Sequence, residues 1–272
     1  MSRARRDERP GGVGRAVRDR VVRRMAGTAQ RLLAPMVADV VAAEVDRAIG
    51  ALHEVEFRSR RDLLAAGERD AAVSSARFAA RAMPTARAFH DRTSTLEHGL
   101  AIAPQGGLAL EFGVFEGRSL EVIAERRARQ RVYGFDSFVG LPEDYRPHVR
   151  TGAFAVGALP DVLGAELVVG WFEDTLPGFL AAHPGPVDFV HVDGDLYSSA
   201  VTVLDLVGPR LAAGSVLVFD EFFNFPGWEE HEFRAWQEWL DRTGARAEYV
   251  AYTSNNEQVV VRLTDPGRPS AG

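Results

Sequence analysis

The sequence predicts an α/β protein: a doubly wound, mostly parallel sheet of seven strands with an antiparallel edge hairpin, preceded by an N-terminal helical extension. Three observations carry that prediction. Beyond residue 107, short β-branched and aromatic runs alternate with helical stretches, which is the texture of βαβ units. Those runs are mostly continuous apolar stretches, as strands covered on both faces are. The last two runs are separated only by Ser254-Asn255-Asn256-Glu257, too close for a helical crossover, so they pair as a hairpin.

Residues 1–31 hold ten Arg and read as a basic, flexible arm, a solvated tail rather than a nucleic-acid binder. Residues 32–85 read as a helical extension, because Leu32, Leu33, Met36, Val37, Val40, Val41, Val45, Ile49 and Leu52 recur at three- and four-residue spacing. The stretch carries no recognisable chemistry, and its apolar stripe suits a substrate cap or, preferably, an oligomer contact. Pro84 breaks the pattern, and residues 86–265 form the main domain, followed by a tail, 266–272. Within that domain Ala86–Ala101 reads as a helix ending near Pro104 and Gly106-Gly107. The strands are Leu108–Val114, Arg131–Phe138, Ala165–Trp171, Val187–Val192, Ser215–Phe219, Ala247–Thr253 and Gln258–Leu263. Between them lie helices at Ser119–Arg129, Thr175–Ala182, Ser198–Leu211 and Glu229–Arg242. The Pro-, Gly- and aromatic-rich stretch Phe138–Leu159 is long for a plain connection and reads as a lid or a surface loop.

Composition narrows the chemistry. With 46% hydrophobic and 26% charged residues over 272 positions, a disordered or collagenous chain is excluded. The absence of cysteine removes disulfides, thiolate metal sites and a cysteine nucleophile. All 32 basic residues are Arg, so Schiff-base chemistry and a lysine base are removed as well. The net charge of -6 is divided unevenly: residues 1–100 carry 19 Arg against 13 acids, and residues 101–272 carry 13 against 25. No apolar run approaches the roughly 20 residues that cross a bilayer, and no secretory signal is evident, which reads as a cytoplasmic protein.

In a doubly wound sheet, ligands bind beyond the carboxyl ends of the strands. The first main strand ends Leu110-Glu111-Phe112-Gly113-Val114-Phe115-Glu116-Gly117-Arg118-Ser119. Gly113 and Gly117 permit a tight turn close to a ligand. The spacing is G-x-x-x-G rather than the dinucleotide fingerprint G-x-G-x-x-G, and Glu111 and Glu116 repel a pyrophosphate but suit a cationic ligand. The next strand ends Gly134-Phe135-Asp136-Ser137-Phe138, where an acid can accept both hydroxyls of a ribose. Further on, His191-Val192-Asp193-Gly194-Asp195-Leu196-Tyr197 and Phe219-Asp220-Glu221 put Asp193, Asp220 and Glu221 at the ends of neighbouring strands. Crowded carboxylates take up a proton or share a cation, and hard oxygens without cysteine select Mg²⁺, Mn²⁺ or Ca²⁺. Helix capping accounts for Asp195 and Ser198 but not for three acids on two strand ends.

These phrases, with Gly134-Phe135-Asp136-Ser137-Phe138-Val139-Gly140-Leu141-Pro142, resemble class I S-adenosylmethionine-dependent methyltransferases with a Rossmann-like fold. The resemblance is to the metal-dependent, antibiotic-tailoring macrocin O-methyltransferase-like family and, more distantly, to catechol and caffeoyl-CoA O-methyltransferases. It covers roughly residues 86–263. The resemblance implies S-adenosyl-L-methionine and Mg²⁺ or another hard divalent cation as cofactors. It places Glu111 and Gly113 on the methionine part, Asp136 on the ribose and the segment Trp171-Phe172-Glu173-Asp174 on the adenine, with Gly117, Ser119 and Ser137 as further cofactor-binding candidates. For Trp171 and Phe172, core packing is an equal reading. The metal would be held by Asp193, Asp220 and Glu221, the last standing where relatives often have Asp or Asn.

Methyl transfer from a sulfonium is an in-line displacement, so the protein has to align and deprotonate an acceptor hydroxyl. Asp193 is the candidate base and ligand, and His231, just beyond the metal acids, is a second catalytic candidate. His191 lies inside a strand and reads as a core histidine, while His90 and Tyr197 are weaker candidates. The expected function is O-methylation of a small molecule such as a natural-product sugar or polyphenol, by a homo-oligomer without nucleic-acid or membrane partners. Two alternatives stand beside it. One is an RNA methyltransferase using the Arg-rich arm, which the acidic catalytic region disfavours; the other is a binding protein that keeps the fold without turnover.

Overall fold

The computed structural model describes residues 12–267. The chain divides into two units, Met1–Ala66 and Gly67–Gly272. In the first unit the helix α1 runs from Gly12 to Arg61 with Pro35 inside it. Residues 12–31 are therefore helical where the Arg-rich composition suggests a loose arm; residues 1–11 and 268–272 lie outside the described residues. Arg is a good helix former, and Arg-Glu pairs such as Arg58–Glu54 at 2.7 Å add support along the face. Val37, Val40, Val41, Val45, Ile49 and Leu52 all stand exposed on α1. At Asp62 the helix is interrupted, and the Asp62 carboxylate accepts the backbone N–H of Leu64 and Ala65, which starts α2 (Leu63–Ala82).

The second unit is built on β1 (Arg87–Phe89), α3 (Arg92–Ile102), β2 (Leu108–Phe112), α4 (Arg118–Arg126), β3 (Val132–Asp136), β4 (Glu166–Val169), α5 (Phe172–Ala182), β5 (Val187–Val192), α6 (Tyr197–Val207), β6 (Leu211–Phe219), α7 (Glu232–Thr243), β7 (Arg246–Thr253) and β8 (Val259–Asp265). Eight strands form one sheet in the order β1-β7-β8-β6-β5-β2-β3-β4. The strands β6, β5, β2, β3 and β4 are parallel, and β8 pairs antiparallel with both β6 and β7. One strand exceeds the seven expected. It is β1, which pairs parallel with β7 and covers the outer edge of the hairpin. The predicted helix from Ala86 thus begins later, at Arg92, because Asp91 caps it by accepting the Ser94 N–H at 2.7 Å.

The period of two along each strand divides the core between the two faces. Leu108, Leu110 and Phe112 of β2 pack with Val190 and Val192 of β5, Leu217 and Phe219 of β6, and the α5, α6 and α7 side chains Phe179, Leu204 and Trp236. Ala109, Phe189, Val216 and Val218 face the other way, against Leu96 and Leu100 of α3 and Leu120 and Ile123 of α4. By the same alternation Glu111 and His191 lie on the α3/α4 face, opposite one another in the β2–β5 register. Among the described residues no helix is long and apolar enough to cross a membrane.

The amino ends of β2 and β5 are clipped together by Arg127, which donates to the carbonyls of Pro104 and Gly107 and pairs with Asp188 at 3.2 Å. Asp188 also accepts the Gly107 N–H. Both side chains are buried, so Arg127→Ala strands a carboxylate and is expected to lower stability by about 3 kcal/mol in a urea melt. A loss of less than about 1 kcal/mol would show that water reaches Asp188 instead.

Candidate active site

The carboxyl ends of β2, β3 and β5 open onto a cleft of about 600 Å³, within the size range of small-molecule sites. Its floor is Gly113, Asp136, Ser137, Asp193, Gly194 and Asp195; Trp171, Phe172 and Glu173 line one side, and Arg92 and Glu221 are also on its wall. Gly140, Leu141, Pro142, Glu143 and Phe154 contribute from the long segment after β3. That segment is held in place by a Leu141–Ala153 backbone hydrogen bond and by Arg146, which pairs with Glu257 at 2.6 Å and stacks on Phe225.

Gly113 is where β2 leaves the sheet. Its φ is +96°, and a Cβ there would lie 1.7 Å from the Asp193 carbonyl oxygen, so only glycine lets the ends of β2 and β5 come this close. The Asp193 N–H bonds the Phe112 carbonyl at 2.8 Å, which fixes the backbone of the first acid of the cleft against the β2 turn. Asp136 secures the same turn from β3: one carboxylate oxygen accepts the N–H of Val114 and Phe115, each at 2.9 Å, and the other accepts Phe138 at 2.7 Å. Phe172 begins α5 and meets Phe112 edge-on with centroids 5.3 Å apart, so it is at once core and cleft wall.

Behind the floor runs a buried polar chain. Glu111 is fully buried and bonded to His191 Nδ1 at 2.8 Å, and His191 Nε2 is 3.6 Å from Asp220. Burial works against the charged imidazole, but Asp220 and Glu111 on either side outweigh it and hold His191 well above its usual range. Burial pushes Glu111 upward, moderated by His191. Asp220 ends the chain and pairs with Arg92, whose Nη2 is also 3.9 Å from Asp193. Glu221 is pushed well above the usual carboxylate range by burial and by Asp220 and Asp193 beside it. Asp195, in the left-handed region at φ +60°, is raised by burial to about 7.

Ligand atoms of His191, Asp193 and Asp220 all lie within 4.8 Å of one another. The predicted acids Asp193 and Asp220 are thus brought together with His191, which the sequence reading leaves in the core. Glu221 is on the cleft wall outside this trio, and its Oε2 is buried with no hydrogen-bond partner.

Of the predicted cofactor residues, Gly113, Asp136, Ser137, Phe172 and Glu173 line the cleft. Glu111 does not, because the strand alternation turns it sideways to His191. Gly117 is the N-cap of α4, and a Cβ on it would meet Val162 and Pro160. Ser119 acts on Glu111, and Asp174 lies in the first turn of α5 off the cleft wall. His231 is also placed elsewhere: it is the residue before α7 and packs against Tyr145 and Phe225, with centroids 5.0 and 5.5 Å away. Burial and Arg146 lower its pKa. Tyr197 donates to Glu238, and His90 bonds Ser254.

Arg92, Asp195 and the buried Glu232, which accepts the Glu221 N–H at 3.0 Å, are the residues the sequence reading missed. With the helix starting at Arg92, this is a cation in the first turn, where the dipole disfavours it unless an acid stands opposite.

A parallel α/β sheet with an acidic cleft at this end defines a class that the comparisons make specific. Residues 110–222 match the family model described as a methyltransferase domain, which bears out the resemblance drawn from the motifs over that stretch. Among relatives, the chain is 33% identical over 143 residues to the 8-demethyl-8-(2,3-dimethoxy-alpha-L-rhamnosyl)-tetracenomycin-C 4'-O-methyltransferase of Streptomyces olivaceus, covering 43% of this chain and 53% of that protein. The chain therefore spans about half the length of this curated relative. Among solved structures it is similar to the calicheamicin methyltransferase CalS11, with 27% identity, a TM-score of 0.50 and coverage of 62% of this chain and 76% of that one. The O-methyltransferase NovP shares the fold at a TM-score of 0.50 and 21% identity, over 64% of this chain and 79% of that one.

Proposed function

We propose that the protein is an S-adenosylmethionine-dependent O-methyltransferase that acts, with a hard divalent cation, on a hydroxyl of a small molecule such as a natural-product sugar or polyphenol. The observation that carries this reading is the cleft itself, where Gly113, Asp136 and Asp193 converge from three adjacent parallel strands beside Phe172. The chemistry of its lining suits a sulfonium ligand, since Asp136, Glu173, Asp193, Asp195 and Glu221 are acids and Arg92 is the cation on its wall. The 4'-O-methyltransferase relative, named for a rhamnosyl tetracenomycin, favours a glycosylated acceptor.

A divalent cation also fits. Glu221 Oε2 and His191 Nε2 are buried without hydrogen-bond partners, and Asp193, Asp220 and Glu221 crowd one another. Asp193, Asp220 and either Glu221 or His191 would hold it, and a bound cation supplies acidity to a coordinated hydroxyl. Asp193, on the cleft floor with its side chain 23% exposed, takes the acceptor's proton. Phe172 and Trp171 shape an apolar wall, and the segment through Leu141 and Phe154 borders the acceptor side and limits water. The apolar face of α1 supports a homo-oligomer.

Calorimetry of S-adenosylmethionine with the wild type and Asp136→Ala tests the reading. Wild type is expected to bind, and the variant to lose about 100-fold or more, since it removes the ribose acceptor and unties three backbone N–H groups of the turn. No heat of binding to the wild type would end the proposal.

A further inference from the structure

We propose that Arg92 and the divalent cation compete for the same two carboxylates, so that Arg92 is the resident cation of the metal-free cleft and must swing out for the metal to enter. The inference rests on the metal reading above and adds a residue to it. Arg92 Nη2 bonds Asp220 Oδ2 and is 3.9 Å from Asp193 Oδ2. Asp193 and Asp220 are also two of the three residues whose ligand atoms lie within 4.8 Å of one another. A guanidinium and a divalent cation drawn to the same two carboxylates repel each other at this range, so each weakens the hold of the other.

Two features make Arg92 a displaceable occupant rather than a fixed counter-ion. Its side chain is 55% exposed, whereas that of Asp220 is 4% exposed, so the arm can leave while the acid stays. It also stands at the first residue of α3, where the positive end of the helix opposes a cation. A single guanidinium further leaves a carboxylate oxygen of the cluster unpartnered. Asp193, Asp220 and Glu221 face Arg92 and His191, Glu111 occupies the far side of His191, and Glu221 Oε2 remains unpartnered. A dication on the same carboxylates carries twice the charge of Arg92 and can take several of their oxygens at once.

Titration of Mn²⁺ into the EDTA-treated, dialysed full chain, followed by calorimetry, tests this without reference to turnover. Arg92→Gln is expected to bind Mn²⁺ at least about five-fold more tightly than wild type, the equivalent of the roughly 1 kcal/mol that a half-exposed ion pair contributes. Without metal it should melt below wild type, and saturating Mn²⁺ should raise its melting temperature by more. Arg92→Lys keeps the charge but loses the planar fork, so it should fall between the two. Equal or weaker Mn²⁺ binding by either variant overturns the competition while leaving the metal reading intact, and the lysine variant decides the matter if the glutamine variant fails to fold. No Mn²⁺ binding by wild type or variants overturns the metal reading and the competition with it.

Discussion

Asp193→Asn is expected to reduce methyl transfer by about 1000-fold, the midrange of what a positioned base contributes, while S-adenosylmethionine still binds within a few-fold of wild type. The substitution is isosteric, and the two backbone restraints at this position, the Asp193 N–H to Phe112 and the Asp193 carbonyl under Gly113, do not involve the side chain. The fold of the turn should therefore survive. What is lost is the group on the cleft floor that can take a proton, together with one charge of the Asp193–Asp220 pair. Formation of S-adenosylhomocysteine across a panel of glycosylated and phenolic acceptors measures the first effect, and calorimetry the second. Full activity of the variant would move the base elsewhere. Incubation with EDTA should silence wild type as completely, and undiminished turnover in EDTA would remove the cation from the reaction.

The strands that build this site are legible in the sequence for a physical reason. β2, β5 and β6 are buried on both faces at their carboxyl ends, so Leu108–Phe112, Val187–Val192 and Val216–Phe219 must be apolar nearly without interruption. The acids that interrupt or follow them are then conspicuous. β1 is the opposite case: three residues, Arg87 and Ala88 exposed and Phe89 half-buried, whose pairing to β7 is decided by the sheet edge and leaves no period to read. For the site, nearness in sequence gives the strand ends but not the direction of each side chain. Glu111 and Gly113 are two residues apart, yet one faces His191 behind the floor and the other opens the cleft. His231 follows Glu221 by ten residues of irregular chain and a short helical turn, and is drawn to Tyr145 and Phe225 by aromatic packing. Arg92 reaches Asp220 across 128 residues of chain, a contact that only the topology α3-over-β6 creates.

Gly113→Ala should be as damaging as losing an acid, although it removes no functional group. The backbone at φ +96° disfavours any side chain by roughly 1–2 kcal/mol. The added methyl would also sit 1.7 Å from the Asp193 carbonyl oxygen, a backbone atom that no rotamer change can move aside, and overpacking of this kind adds about 1–3 kcal/mol. The only relief is to part the ends of β2 and β5, which carries Asp193 away from Asp136 and widens the cleft floor. A urea melt should therefore show a loss of about 3 kcal/mol, and calorimetry a loss of S-adenosylmethionine binding out of proportion to it. Two controls separate the causes. Gly152→Ala, at φ +82° with nothing within 4 Å, meets the backbone strain alone. Gly178→Ala, inside α5 with open space around it, meets neither and should be neutral or stabilising by up to about 1 kcal/mol. If Gly113→Ala behaves like Gly152→Ala and still binds the cofactor, then the contact between Gly113 and Asp193 does not set the geometry of the site. If binding disappears while most of the stability remains, the close approach of these two strand ends is what brings the acids of the cleft within reach of one ligand.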